Sequence, residues 1–187
     1  GRRRAGFAVT VPLSVVALLP LGGRTLPEGQ QDAGVARGRY LANGITHCFW
    51  CHSPLNDGHP ATPRPESLGA GDILDAKTPV NAPNITPDPE TGIGRWSDEE
   101  VVRAIREGIG RDRRLLRSEH PSPYYSVMTD DDALAIVLYL RSLRPVRRSL
   151  PPSTPERHRP ETVQLPTSPA RASALRSPQA RGRYLVQ

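Results

Sequence analysis

An all-α domain with long proline-rich loops and an extended C-terminal linker is the fold the sequence predicts, and three observations predict it. Two acidic capping boxes, Ser97-Asp98-Glu99-Glu100 and Thr129-Asp130-Asp131-Asp132, each open a run of apolar residues at helical spacing. Prolines at 54, 60, 63, 65, 79, 83, 87 and 89 keep residues 53 to 95 from forming a long element. Only 36% of the 187 residues are apolar and 5% aromatic, a small core for this length. Either part of the chain is therefore extended, or something other than side chains fills the core.

The elements follow in order. Arg2-Arg3-Arg4 ahead of Ala5 to Leu21 has the charged and apolar regions of a secretory signal. Thr10, Pro12 and Ser14 interrupt that run, which is short for a membrane span, and Val9, Val11 and Leu13 alternate as a strand would. Residues 1–30 are thus a signal, an anchor remnant or an extended arm. Asp32 is the expected N-cap of a helix through Val35, Ala36, Arg39, Tyr40 and Leu41. After the first box, Val101, Val102, Ala104 and Ile105 form an apolar stripe that Gly108 and Gly110 end. The second box opens the most apolar helix, through Leu134, Ile136, Val137, Tyr139 and Leu140, closing near Leu143 ahead of Pro145. This places one domain at 31–146 and a linker rich in proline and arginine at 147–170. Ala36-Arg37-Gly38-Arg39-Tyr40-Leu41 recurs as Ala180-Arg181-Gly182-Arg183-Tyr184-Leu185, so residues 171–187 are read as the start of a second, truncated copy.

The net charge of +6 comes almost wholly from arginine, Lys77 being the one lysine. An acidic protein surface or an anionic lipid surface suits it as a partner. No basic stripe with interleaved aromatics is present, so nucleic acid is not expected.

Cys48-Phe49-Trp50-Cys51-His52 is the most specific signal. Two cysteines at this spacing stand on one helical turn, where their thiols add across the two vinyl groups of haem, and the adjacent histidine then faces the iron. A thioredoxin-like redox pair needs a strand–helix setting that the sequence does not offer. A structural zinc needs two further ligands at close spacing, and no second Cys or His pair supplies them. One covalent haem c with its iron, held by Cys48, Cys51 and His52, is the expected cofactor.

At these residues the chain resembles the class I c-type cytochromes, and in particular bacterial cytochromes that carry two or three such domains in tandem. Some of those are similar to cytochrome subunits of membrane-bound dehydrogenases. The likeness runs from about Val35 to Val146, through Gly38-Arg39-Tyr40-Leu41, the haem motif, Asn84-Ile85-Thr86-Pro87-Asp88, Gly92-Ile93-Gly94-Arg95-Trp96 and Tyr125 to Leu143. It implies a cytochrome c-like helical domain wrapped around the haem. Its first and last helices would cross closely, Gly38 and Tyr40 against Tyr139 and Leu140. It further implies that Trp96 lies near a haem propionate, and that haem attachment takes place outside the cytoplasm. A periplasmic location, or membrane anchoring facing the periplasm, follows.

The resemblance departs at the sixth iron ligand. Relatives place a methionine in a Met-Pro-Tyr stretch ahead of the last helix; here His120 stands at that position, in Glu119-His120-Pro121. Met128, the one methionine, directly precedes Thr129, where a side chain packs as a hydrophobic staple against Ala133. His120 is the expected distal ligand and Met128 the alternative; His47, His59 and His158 rank lower. Methionine ligation raises a haem potential, and a second imidazole should lower it.

Extracytoplasmic electron transfer by a haem cycling between Fe(II) and Fe(III) is the leading functional expectation, with redox proteins as partners and no substrate chemistry in this chain. The alternative is the electron-accepting cytochrome subunit of a membrane-bound dehydrogenase complex. A third reading, ranked below both, is a haem peroxidase or gas-binding protein with an open iron position.

Overall fold

The computed structural model describes residues 28–58, 60–77, 80–153 and 169–186. The expected signal or arm before residue 28 lies outside the described residues, as do His59 and His158. Six α-helices, a two-stranded sheet and short 3₁₀ and π turns make up the described chain: α1 Glu28–Tyr40, α2 Cys48–Cys51, β1 Asp72–Asp75, β2 Val80–Ala82, α3 Asp98–Glu107, α4 Ser122–Tyr125, α5 Asp130–Ser142 and α6 Pro178–Leu185.

Helices α1 and α5 pack against each other and organise the rest. Their closest approach is at Gly38: a Cβ there would lie 1.8 Å from the carbonyl oxygen of Ala135 and 2.9 Å from Cβ of Tyr139. Only a glycine admits backbones this close. The helix crossing expected from Gly38 and Tyr139 is present, but Tyr40 does not take part. It is 51% exposed and lies 5.5 Å below the Arg37 guanidinium. On a helix, residues two apart point about 200° away from each other, so a buried Gly38 turns Tyr40 outward. The flank of the crossing is filled by Phe49, whose ring meets Tyr139 edge-on at 5.9 Å. Arg37 also spans the pair, its Nε and guanidinium nitrogen donating to both oxygens of Asp132 at 2.8 and 2.9 Å.

The caps set where the helices begin. Helix α1 starts at Glu28, a turn ahead of the Asp32 cap expected from the sequence. At α3 the capping box is complete: Ser97 Oγ accepts from the Glu100 N–H at 3.2 Å, and Glu100 accepts from the Ser97 N–H at 2.9 Å. Gly108 ends α3 at φ 64°. Thr129 caps α5 by accepting from the Asp132 N–H at 3.2 Å, and Leu143 closes it.

The expectation of an all-α fold with plain loops after the haem motif needs correcting. Strands β1 and β2 form a short antiparallel hairpin inside the proline-rich stretch. Pro83, directly after β2, does not break so short a pair, because a two-stranded ladder leaves outer edges that need no N–H. The rest remains mostly helical. Chain from Pro145 to Ser153 stays on the domain: Val146 N–H donates to Thr86 Oγ1 at 3.2 Å, Arg148 N–H to Thr91 Oγ1 at 3.0 Å, and Asn81 N–H to Ser153 Oγ at 3.0 Å. No helix among the described residues is long and apolar enough to cross a membrane.

Candidate haem site

Between α1 and the cysteines the chain makes a π turn, Leu41–Ile45, which buries Leu41 and Ala42 and returns a hydrogen bond from Thr46 N–H to the Leu41 carbonyl. His47 then adopts φ 47°, a left-handed conformation histidine reaches more readily than most residues, and starts α2. Helix α2 is one turn long. It presents Cys48 half-buried and Cys51 exposed, both free thiols, with Phe49 buried between them and Trp50 46% exposed. Cys48 Sγ lies 3.1 Å from the Thr46 hydroxyl, and burial pushes its pKa up.

His52 follows directly, its N–H donating to the Cys48 carbonyl at 3.0 Å. Its Nδ1 lies 2.7 Å from the carbonyl oxygen of Pro83. A carbonyl only accepts, so Nδ1 carries the proton and the lone pair is left on Nε2. Burial lowers the His52 pKa, which keeps the ring neutral and able to ligate. The Asn84-to-Asp88 stretch explains why Pro83 is so placed. Asn84 Oδ1 accepts from the Thr86 N–H at 2.9 Å and the Thr86 hydroxyl at 2.7 Å, while its amide donates to Thr91 Oγ1 at 2.9 Å and the Val146 carbonyl at 2.7 Å. The Ile85 N–H donates to the Gly69 carbonyl, and Gly71 N–H to the His52 carbonyl, both at 2.8 Å. Asn84→Ala should cut these ties and leave buried groups unpaired, at a cost of roughly 2–4 kcal/mol. A denaturant titration checks it; a midpoint within error of the parent would mean the loop holds itself.

In the distal turn, His120 donates its N–H to the Arg117 carbonyl at 3.0 Å. Its ring stands edge-on to Tyr125 at 6.3 Å, and the Tyr125 hydroxyl donates to the Thr46 carbonyl at 2.8 Å. This turn is thereby tied to the residues that carry Cys48. His120 Nδ1 is buried without a hydrogen-bond partner among the described residues. Burial, and secondarily the positive charge that His52 would carry, bring its pKa down to about 4. The structure thus brings His120 into electrostatic range of His52. Met128 is 6% exposed and sits in the apolar cluster with Leu41, Ala133 and Ile136, as a staple residue would. His47 is exposed on the surface of the turn.

Trp96 is half-buried against the same cluster. What fixes it is not legible in the sequence: Arg141 of α5 donates to the carbonyls of Ile93 (2.7 Å) and Trp96 and pairs with Asp98 at 3.1 Å. Sequence reasoning also misses Pro83, Thr46 and Tyr125 as site residues. Only the Asx-type pattern at Asn84 offers a local signal for the first of them.

The donor set fits a haem. One turn offers two thiols, an oriented neutral imidazole follows them, and an orphaned imidazole nitrogen lies within electrostatic range. The cytochrome c family model matches residues 35–144. This chain belongs to the cytochrome c family. The cytochrome is 52% identical over 68 residues to a nicotinate dehydrogenase subunit of Pseudomonas putida, covering 36% of this chain and 6% of the relative. It is 30% identical over 180 residues to the cytochrome c subunit of the quinone alcohol dehydrogenase of Gluconobacter oxydans, covering 88% of this chain and 35% of the relative. With the cytochrome c subunit of gluconate 2-dehydrogenase from Pantoea cypripedii, identity is 32% over 134 residues, 63% of this chain and 28% of the relative. The cytochrome therefore spans about a third or less of the length of these relatives.

Proposed function

We propose that this cytochrome carries single electrons outside the cytoplasm through one haem c, attached at Cys48 and Cys51 and ligated by His52 and His120. The observation that carries the reading is the His52–Pro83 hydrogen bond of 2.7 Å directly behind the cysteine turn. It fixes the tautomer and aims the ring before any metal arrives. When bound, haem c supplies an iron that alternates between two oxidation states.

The residues do the rest. Cys48 and Cys51 would hold the group from one turn. Phe49, Leu41 and Ile136, all at most 2% exposed, form a buried apolar cluster that would keep water out. His52 would ligate through Nε2, made more basic by the carbonyl on its far nitrogen. His120, neutral and with its Nδ1 lacking a hydrogen-bond partner among the described residues, would offer the second imidazole. Trp96, held through its carbonyl by Arg141, would offer its indole N–H to a propionate oxygen, an acceptor that suits a donor-only group. The exposed Trp50 marks the side on which an electron would enter or leave.

The named relatives support a second, narrower reading, in which the cytochrome accepts electrons from the catalytic subunit of a dehydrogenase. The repeated hexapeptide, helical in both copies, supports a tandem arrangement with a further haem domain after α6. Secretion and thioether attachment in the periplasm accord with the family; anchoring to a membrane is part of the same proposal. Expressing the chain with a haem-attachment system and weighing it tests the core claim. A mass increased by one haem that survives acid acetone is expected; bare thiols with extractable pigment would overturn it. Co-purification with a flavin or quinone dehydrogenase subunit would favour the narrower reading.

A further inference from the structure

We infer that Tyr125 is the positioning residue of the distal ligand: its hydroxyl is pinned to the attachment turn, and its ring sets the plane of the His120 imidazole. The inference rests on the reading of His120 as the second imidazole. The two histidines are oriented in different ways. His52 is aimed by the hydrogen bond between its Nδ1 and the Pro83 carbonyl. A ligating histidine almost always has such an acceptor, yet His120 Nδ1 is buried without one among the described residues. Packing must therefore do for His120 what a hydrogen bond does for His52. The ring that meets it is Tyr125, edge-on at 6.3 Å and 89°, an arrangement in which aromatic rings attract.

Tyr125 is itself held at several points. It closes α4, whose first residue Ser122 is buried against the glycine that ends α3, so closely that a Cβ on Gly108 would strike Ser122 Oγ. Its carbonyl accepts from the Met128 N–H at 3.0 Å. Its hydroxyl donates to the Thr46 carbonyl at 2.8 Å. Thr46 is a firm anchor: it is 8% exposed, and its N–H (2.9 Å) and hydroxyl (3.2 Å) both reach the Leu41 carbonyl. The same hydroxyl lies 3.1 Å from Cys48 Sγ. A run of contacts thus leads from Cys48 through Thr46 and Tyr125 to His120. The distal ring is registered against the covalent attachment, while a separate loop orients His52. A bare phenyl ring could slide in this place; the hydroxyl fixes it.

Tyr125→Phe in the haem-loaded chain tests this, because it keeps the ring and removes the hydroxyl. The ferric electron paramagnetic resonance spectrum reads the angle between two axial imidazole planes. In the variant it should stay low-spin with shifted g-values, and cyanide should displace the distal ligand about three- to tenfold faster, the loss expected of one hydrogen bond. Tyr125→Leu, which removes the ring as well, should move both readings further. Unshifted g-values in Tyr125→Phe overturn the proposal, even where its melting temperature falls, since that is the mark of a merely structural tyrosine. His120→Ala separates this failure from failure of the ligand assignment. If its spectrum changes while that of Tyr125→Phe does not, His120 ligates and Tyr125 does not position it; if its spectrum stays the same, both readings fall.

Discussion

Replacing His120 with alanine should convert a six-coordinate low-spin haem protein into one that is high-spin and binds carbon monoxide, without changing the number of haems attached. His120 Nδ1 is buried without a hydrogen-bond partner among the described residues, and burial brings its pKa down to about 4, which leaves the ring neutral and free to ligate. Met128→Leu, by contrast, exchanges one core side chain for another of similar volume and should leave the spectrum alone, at a stability cost below about 1.5 kcal/mol. His120→Met should restore a low-spin spectrum and raise the potential, on the order of 0.1 V within the roughly 0.8 V that axial ligands span. An unchanged spectrum in His120→Ala, together with a sulfur–iron charge-transfer band lost in Met128→Leu, would make Met128 the ligand. Carbon monoxide binding by the unaltered protein would instead favour ligand chemistry at an open iron.

Gly38→Ala should abolish or severely impair folding, even though alanine favours a helix by about 1 kcal/mol over glycine. The added methyl would sit 1.8 Å from a backbone oxygen of α5, and backbone cannot rotate aside as a side chain can. Separating the helices to make room loosens the Phe49–Tyr139 contact and stretches the Arg37–Asp132 pair. A loss above about 3 kcal/mol is expected, at the upper end for overpacked cores. Gly182→Ala changes the same residue in the same hexapeptide and meets nothing within 4 Å. In this chain it should stabilise α6 by about 0.5–1 kcal/mol. Thermal melts of the two variants check the pair; a mild effect at Gly38 would mean that α1 and α5 cross more loosely than the structure has them.

What the sequence makes legible is local. The cysteine turn and its histidine, the boxes at Ser97 and Thr129 and the Gly108 stop all declare themselves within a few residues. Contacts joining distant parts of the chain do not. The Asx-type pattern at Asn84 marks a turn beside Pro83, but it does not single out the Pro83 carbonyl as the partner of a histidine 31 residues earlier. Nothing near Arg141 marks it as the clamp on Ile93 and Trp96. Tyr40 neighbours Gly38 in sequence, which invites its assignment to the helix crossing, although the helical period turns the two apart. The hairpin at 72–82 is hidden by the prolines around it, whose effect on so short a ladder is small. The chain after Pro145 has no apolar pattern, and its attachment to the domain runs through hydroxyls and backbone groups that composition does not reveal.

The ties around His52 bear on how fast an electron could move. Ser53 Oγ accepts from the Gly69 N–H at 2.9 Å, the Gly71 N–H is held by the His52 carbonyl, and Asn84 secures the strand of chain that bears Pro83. Each of these dipoles already points where its neighbours hold it. When the charge at such a centre changes by one unit, little of this wall is free to turn in response. A small nuclear rearrangement on each oxidation and reduction is the consequence, which is the condition for rapid exchange at modest driving force.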